Sequence, residues 1–310
     1  MINLEYRWSA YSLLAHHLTG AAQTERAVAQ WLAAGRFAAA RLAPHEAIGH
    51  FDRGLALLGS LPEGATRDAQ EVELHLARGL SLFTTEGFMS EAAARSYTRA
   101  RELAERRNDG RQLIVAIYGQ WQGTAGAGNI AAAGPLSSKL LALTAAATTD
   151  SGLRLQAHHS AWATCLLGGE PALGREHCEA GRRLYDIAAH RSHRLLFGGH
   201  DPGVCARQMG GQVEWVLGFP NTPLASAGEA TDLAEQLHHP LSLENAMLHK
   251  VVLHLERHEP ELALQELAAI ELLADEQRLA FLHSPEVFRG GALLLQGALR
   301  DALAMLRAGL

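Results

Sequence analysis

Several features that would mark other fold classes are missing from this chain of 310 residues. It has no long alternating run of Val, Ile, Thr and Tyr, which β-strands would need. The nearest candidate, Leu113–Tyr118, lies between helical flanks and is interpreted as a buried helical segment. Aromatic residues make up only 6% of the chain, whereas Ala and Leu, the strongest helix formers, are abundant. The composition therefore predicts an all-α fold.

The chain also lacks the basic stripe that nucleic-acid binding requires. Its formal net charge is −6, and its densest arginine groups, in 99–107 and 182–194, are interleaved with Glu and Asp. Phosphate contacts supply most of the affinity of a nucleic-acid binder, so such a protein usually shows one continuous basic face. Interleaved charges are typical of solvated helix faces. Nucleic acid is therefore not an expected partner.

Signals for secretion and membrane insertion are absent as well. The three cysteines, Cys165, Cys178 and Cys205, form no C-x-x-C pair, which argues against a disulfide framework and favours a reducing, cytoplasmic setting. Residues 1–7 lack the basic-then-apolar order of a signal peptide. No run of 18 uncharged apolar residues occurs, so we expect no membrane span.

What the chain does contain is an internal repeat. A turn residue is followed, five, nine and twelve positions later, by residues that are mostly small or apolar, as at Gly128, Gly169, Gly218 and Gly297, and with a slip of one residue at Gly87. Successive starts at 87, 128, 169, 218, 258 and 297 differ by 41, 41, 49, 40 and 39 residues. Two further starts are at 22 and 42. A fixed period of this length is typical of stacked helix hairpins.

The offsets have a physical cause. The first residue ends one helix, and glycine tolerates the positive φ of a tight turn. Offsets of five, nine and twelve differ by four and three, which places them on one face of the second helix. Small residues on that face let two helices approach, and the larger residue at offset nine fills the groove. The first small positions are predicted to be structural: Ala27, Ala47, Ala93, Ala133, Gly174, Ala263 and Ala302.

The predicted architecture is a single domain over residues 1–310. We expect a right-handed α-solenoid of about seven to eight hairpins, with the first helices on the concave side. Leu310 falls within the second helix of a repeat, where a solenoid would need a polar capping helix, so the chain is expected to be truncated at its C-terminus.

The pattern resembles the tetratricopeptide family, whose consensus places Gly, Ala, an aromatic residue and Ala at these offsets. The period of about 40 rather than 34 is similar to the longer repeats in the sensor arms of bacterial signal-transduction ATPases. Local strings resemble one lineage within that group, the C-terminal repeat region of bacterial proteins that join a class III adenylate/guanylate-cyclase domain to an AAA-like (STAND-type) ATPase. They are Leu14–His17, Ala47–Leu58, Gly199–Val204, Trp215–Pro220, His239–Ser242, Arg289–Leu293 and Leu306–Leu310.

The catalytic motifs of that lineage are missing from this chain. It has no G-x-x-x-x-G-K-[ST] phosphate loop and nothing similar to the paired metal-binding aspartates of a cyclase. The resemblance therefore implies a binding arm that regulates an attached or partner ATPase/cyclase. We expect no enzyme activity and no cofactor in the chain itself.

Seventeen histidines raise the question of a metal site. The best spacing is His249, His254 and His258, of which the last two lie four residues apart. No carboxylate or cysteine completes that set, so no metal is predicted. The doublet His158–His159 is assigned to solvent or to the edge of the core.

Five residues are the candidates for ligand or partner contacts. His200 and Asp201 precede Pro202 in a loop, where Asp201 is predicted to cap the following helix and remains the first place to look for a ligand. Trp121, Trp162 and Trp215 lie on first helices, where core packing is the default and a binding anchor is the alternative.

Three functions remain open at this point. The leading one is a protein- or effector-binding module that regulates a signalling ATPase/cyclase. A small-ligand sensor would need a pocket lined by aromatic residues. A hydrolase built on His200 and Asp201 is the least favoured, because no G-x-S-x-G nucleophile elbow occurs.

Overall fold

The structure, a computed structural model, describes the backbone of residues 4–147, 150–277 and 284–309, and side chains from residue 10 onward with the further exception of 146–147. Leu310, on which the expectation of truncation rests, lies outside the described residues. Within these ranges there are sixteen α-helices, one 3-10 turn and no strand. The helices are α1 Leu4–Gly20, α2 Thr24–Ala40, α3 Pro44–Leu58, α4 Ala65–Glu86, α5 Glu91–Arg106, α6 Gly110–Gly126, α7 Ile130–Ala147, α8 Ser151–Leu167, α9 Pro171–Leu184, α10 Ile187–His190, α11 Pro202–Val216, α12 Pro223–Gln236, α13 Pro240–Glu256, α14 Pro260–Gln277, α15 Pro285–Leu295 and α16 Leu299–Gly309. The predicted all-α solenoid class is confirmed.

Every predicted turn position carries a left-handed backbone. Gly87, Gly128, Gly169, Gly218 and Gly297 have φ between +78° and +86°. Ala22, Leu42 and His258 take φ between +57° and +59° without the freedom of glycine. A left-handed residue after the last helical turn reverses the chain, because the following N–H can then bond back to the carbonyls that end the helix.

The chain divides into two compact units, residues 1–153 with 195–199 and residues 154–194 with 200–310. In the first unit, α2–α3, α4–α5 and α6–α7 form hairpins. Tyr97 of α5 is 1% exposed and fills the space left by Gly79 of α4 and Gly119 of α6. Phe51 of α3 fits against Gly35 of α2 in the same way. In both repeats the large residue, Phe51 at offset nine and Tyr97 at offset ten because of the one-residue slip, therefore closes the groove that the glycines open.

Helices α11–α12, α13–α14 and α15–α16 form hairpins in the second unit, and α9 packs on α11. One core of the second unit surrounds the fully buried Trp162. It contains Leu155, Cys178, Cys205, Ala206 and Met209. A second core surrounds Ala263. Buried apolar surface of this kind supplies the main favourable term in folding.

The small positions of the repeat are buried in both units. Ala27, Ala47, Ala93, Ala133, Ala263 and Ala302 are at most 1% exposed, and Gly174 is also buried. The segment Leu113–Tyr118 is part of α6. Leu113 is partly buried and the other five residues are buried, which confirms the interpretation as a buried helical segment. None of the described helices is both long enough and apolar enough to cross a lipid bilayer.

Candidate functional site: a buried histidine cluster in the second unit

The longest connection in the repeat pattern, between α9 and α11, leads into a group of buried polar residues. It contains the short helix α10 and the 3-10 turn Arg191–Leu195, and it accounts for the spacing of 49 residues between turns 169 and 218. His190 and His193 of this connection are buried, with their rings 5.2 Å apart. We use the name histidine cluster for Gln156, His159, His190, His193, His200 and Cys205.

Asp201 ends the connection and begins α11. Its Oδ1 accepts hydrogen bonds from the backbone N–H groups of Gly203 at 2.8 Å and Val204 at 3.2 Å, which confirms the predicted capping role. The hydroxyl of Tyr185 donates to its Oδ2 at 3.1 Å, and its own N–H donates to Ser242 Oγ at 2.8 Å. Hydrogen bonds therefore hold both the side-chain carboxylate and the backbone N–H of Asp201.

Burial raises the pKa of the Asp201 carboxyl above its ordinary value, although the hydrogen bonds from Val204, Tyr185 and Gly203 oppose the shift. Burial also raises the pKa of the Tyr185 hydroxyl, and the neighbouring Asp201 charge adds to this. Both shifts have the same cause, since a charged group loses hydration in a buried site.

His159 of α8 is 3% exposed and lies at the centre of the cluster. Its ring stacks on Trp162, with centroids 4.8 Å apart, and meets the edge of His200 at 5.1 Å. Its Nδ1 is 3.2 Å from Gln156 Oε1, and Gln156 Nε2 is 3.2 Å from His193 Nδ1. Burial lowers the pKa of His159 well below its ordinary value, so the ring is neutral near neutral pH.

Cys205 lies one turn into α11, and its backbone N–H donates to the carbonyl of Asp201 at 3.0 Å. It is 5% exposed, and burial raises the pKa of its thiol to about 12. One ligand atom each from His159, His200 and Cys205 lies within 4.8 Å of the other two. The structure thus brings together three potential metal donors from α8, the connection and α11.

The predicted candidates fall into three places. His200 is a member of the histidine cluster, and Trp162 and Asp201 contact other members of it, His159 and Cys205 respectively. Trp121 is buried in the first unit, with its ring centroid 5.1 Å from that of Tyr118. Trp215 is partly buried near the end of α11.

Around Trp215 the turn between α11 and α12 exposes apolar surface between two arginines. Val216 is 55% and Phe219 is 39% exposed. The Arg257 guanidinium lies 5.6 Å from the Trp215 ring centroid, and that of Arg175 lies 5.0 Å from the Phe219 ring. We call Trp215, Val216, Phe219, Arg175 and Arg257 the α11–α12 turn surface.

Sequence reasoning missed His159, Cys205 and Gln156 as members of one site. The sequence predicts that His159, as part of a doublet, lies in solvent or at the core edge, but the structure places it in the core. The histidines with the best metal-ligand spacing in the sequence, His249, His254 and His258, belong to a different part of the second unit. His254 Nδ1 contacts Glu259 Oε2 at 2.8 Å, whereas His258 is an exposed turn residue.

Comparison with known proteins shows which fold the chain has but does not assign it to a family. No family model matches the chain. An uncharacterized protein of Rhizobium meliloti (strain 1021) is 28% identical over 233 residues, which cover 75% of this chain and 22% of that protein. The chain thus spans about a fifth of the length of the curated relative that it matches.

Three solved structures share the fold. The apo form of RapI has a TM-score of 0.63 and 12% identity, with 90% of this chain and 95% of that chain covered. The Rap conjugation gene regulator of plasmid pLS20, in complex with the Phr* peptide, has a TM-score of 0.60 and 13% identity, with 90% and 76% covered. A Signal Transduction ATPase with Numerous Domains (STAND) protein with a tetratricopeptide repeat sensor, from Pyrococcus horikoshii, has a TM-score of 0.51 and 12% identity, with 99% and 47% covered. The chain therefore has a tetratricopeptide-like helical repeat fold.

Proposed function

We propose that this chain is a non-catalytic, regulatory repeat module that binds a peptide segment of a protein partner. Helical repeats present side chains from successive hairpins on one rigid scaffold, which suits them to extended partners. Support comes from the Rap regulator of similar fold that was solved with the Phr* peptide. The proposal extends that mode of binding to this chain.

The observation that carries the proposal is the composition of the α11–α12 turn surface. Trp and Arg are the residue types most often found at interface hot spots, and they are most effective when clustered. Here Trp215 and Phe219 each lie under an arginine guanidinium, and Val216 beside them is exposed. We infer that an apolar side chain of the partner packs on this surface.

The module is further proposed to act on a cytoplasmic signalling ATPase/cyclase, either attached to it or as a separate partner. Two observations support this role. The chain corresponds to about a fifth of a longer relative, and its fold is similar to a STAND protein with a repeat sensor. A binding arm of this kind would regulate by presenting its effector-bound state to the catalytic part.

A small-ligand sensor is the alternative, and the first unit offers one observation in its favour. Tyr11, Ala29, Leu32, Ala33, Arg36 and Phe37 line a shallow groove of about 360 Å³. The Tyr11 and Phe37 rings lie 6.0 Å apart across it. A ligand selective for the native state would raise the melting temperature of the chain.

The hydrolase alternative is the least favoured, because Asp201 already has other contacts. Its Oδ1 accepts from two backbone N–H groups and its Oδ2 from Tyr185. A triad aspartate instead accepts a hydrogen bond from the catalytic histidine. We expect no turnover of generic ester or phosphate substrates, and equal background rates for the wild type and His200→Ala.

The proposal is tested by selecting peptides from a displayed library against the purified chain and measuring their Kd by fluorescence anisotropy. Val216→Asp places a charge on the turn surface and is expected to weaken binding at least about tenfold, the effect of losing one good hot-spot contact. Leu272→Asp is the matched control, since Leu272 is 65% exposed on α14 of the same unit. Trp215→Ala should weaken binding in the same way. Selected peptides that bind Val216→Asp and wild type equally would exclude this surface, and failure to select any peptide would contradict the function.

A further inference from the structure

The histidine cluster has the donor set of a transition-metal site. We propose that His159, His200 and Cys205 bind one Zn²⁺-type divalent ion. Two imidazole nitrogens and one thiolate sulfur are ligands that zinc accepts in tetrahedral sites. This proposal does not depend on the peptide-binding function and is tested by a different measurement.

The geometry is close to what a metal would need. The three donor atoms lie within 4.8 Å of one another. A tetrahedral zinc with bonds of about 2.0–2.3 Å brings its ligand atoms to about 3.3–3.8 Å of one another. Side-chain rotations that move each donor inward by less than a bond length close this difference.

With a metal bound at Nε2, the contacts of His159 Nδ1 would serve as a second coordination shell. With Nδ1–H donating to Gln156 Oε1 at 3.2 Å, the lone pair of the neutral ring is on Nε2. Gln156 is itself oriented by the contact of its Nε2 with His193 Nδ1 at 3.2 Å. Metal-bound histidines almost always have such a partner on the second nitrogen, which fixes the tautomer and the ring orientation.

His200 and Cys205 are held by a single capped turn. Asp201, between them, accepts from Gly203 and Val204 through its side chain and from the Cys205 N–H through its carbonyl. The cap therefore fixes the relative position of the two ligands before any metal binds. Preorganisation of this kind reduces the entropy cost of binding.

Three protein ligands leave one position of a tetrahedral zinc open. Zinc sites that only stabilise structure usually have four protein ligands, whereas three ligands leave room for water or an added group. Metal binding would join α8 to α11 and release the proton of the Cys205 thiol to solvent as the sulfur–metal bond forms. No redox step is involved.

Cobalt titration of the full chain tests the site. After chelation and in the presence of a reductant, one equivalent of Co²⁺ is expected to produce the near-ultraviolet thiolate-to-cobalt charge-transfer band, and Zn²⁺ should abolish it by displacement. Cys205→Ser should lose this band. Cys165→Ser should retain it, because Cys165 is not part of the cluster. A wild type without the band, a Cys205→Ser variant that keeps it, or its loss in Cys165→Ser would overturn the proposal.

Two further variants cover folding and surface binding. His158 Nδ1 and His177 Nδ1 lie 2.9 Å apart at a partly exposed place, so His177→Ala removes a second histidine pair that could bind cobalt, and the charge-transfer band should persist. Its loss in His177→Ala would contradict the assignment. His200 is only partly buried, so His200→Gln is expected to fold even if Cys205→Ser does not. It should reduce the cobalt affinity at least about tenfold, and an unchanged affinity would count against the site.

Discussion

Tyr97 of α5 lies directly against Gly79 of α4: a Cβ atom at position 79 would be 2.7 Å from Cε2 of the tyrosine ring. On its other side the ring meets Gly119 of α6, where a Cβ would overlap it as well. Real Cβ atoms do not approach a ring this closely. The close packing of α4, α5 and α6 therefore requires glycine, which has no side chain, at positions 79 and 119.

This contact predicts that Gly79→Ala destabilises the chain, by about 1–3 kcal/mol, the usual cost of overpacking a core. Gly49→Ala is the control, since position 49 lies within α3, is exposed and has no atom within 4 Å of a new Cβ. It should stabilise by about 0.5–1 kcal/mol, because alanine loses less backbone entropy in a helix. Urea unfolding measures both variants. Equal effects of the two substitutions would show that the Tyr97 contact is not tight.

Ala263→Glu is expected to unfold the α13–α14 hairpin. Ala263 is fully buried among Leu248, Val251, Leu267 and Ile270, so a glutamate there loses its hydration without a partner, at a cost of several kcal/mol, roughly 3–5. Leu262→Glu, at the adjacent position that is 43% exposed, should be tolerated. Melting followed by circular dichroism checks both. An unchanged melting temperature in Ala263→Glu would show that the inferred helix register is wrong.

Substitution of Asp201 separates capping from charge. Asp201→Ala should cost about 1–2 kcal/mol, because the N–H groups of Gly203 and Val204 lose their acceptor. Asp201→Asn keeps an acceptor oxygen at the same position and should cost less than half as much. Chemical denaturation gives both values. If the asparagine variant is the less stable of the two, the carboxylate charge matters more than the cap.

His75 of α4 predicts a pH dependence of stability in the first unit. Burial lowers the pKa of His75 to about 4 from the ordinary 6.5, even though Glu71 beside it opposes the shift. Between pH 6.5 and 4 the unfolded chain binds a proton that the folded chain does not. The contribution of this group is therefore fully present above pH 6.5 and is lost as the pH falls towards 4, at about 1.4 kcal/mol per pH unit.

The measurement is the free energy of unfolding at intervals between pH 7 and 4 in the wild type and in His75→Gln. The wild type should lose stability relative to His75→Gln as the pH falls, because only the wild type has the histidine that resists protonation in the folded state. His45→Gln, which alters an exposed histidine of α3, is the control and should run parallel to the wild type. A His75→Gln curve that is also parallel would place the titration elsewhere.

The sequence predicted the repeat far better than the candidate site. All eight turn positions have a positive φ, because the residue that ends a helix and reverses the chain is set by local backbone geometry. The small positions, such as Ala93 and Ala263, are buried because helical spacing alone fixes which residues share a face.

The histidine cluster shows where this reasoning stops. His159, His200 and Cys205 are separated by 41 and 5 residues, and nothing in the local pattern relates α8 to the start of α11. Their proximity depends on how α9 and the connection of residues 185–201 return the chain to α8. Only the capping role of Asp201 can be predicted from the sequence, because it involves residues two and three positions further along the chain.

By itself, the sequence determined the helices, their turns and the faces on which they pack, since each of these follows from interactions within a few residues or from one repeated period. The tertiary structure alone decided that Trp121 and Trp162 are buried, that Trp215 is partly exposed beneath Arg257, and that three donors meet in the second unit. The physical reason is that burial and convergence are properties of packed elements far apart in the chain, and no spacing rule connects them.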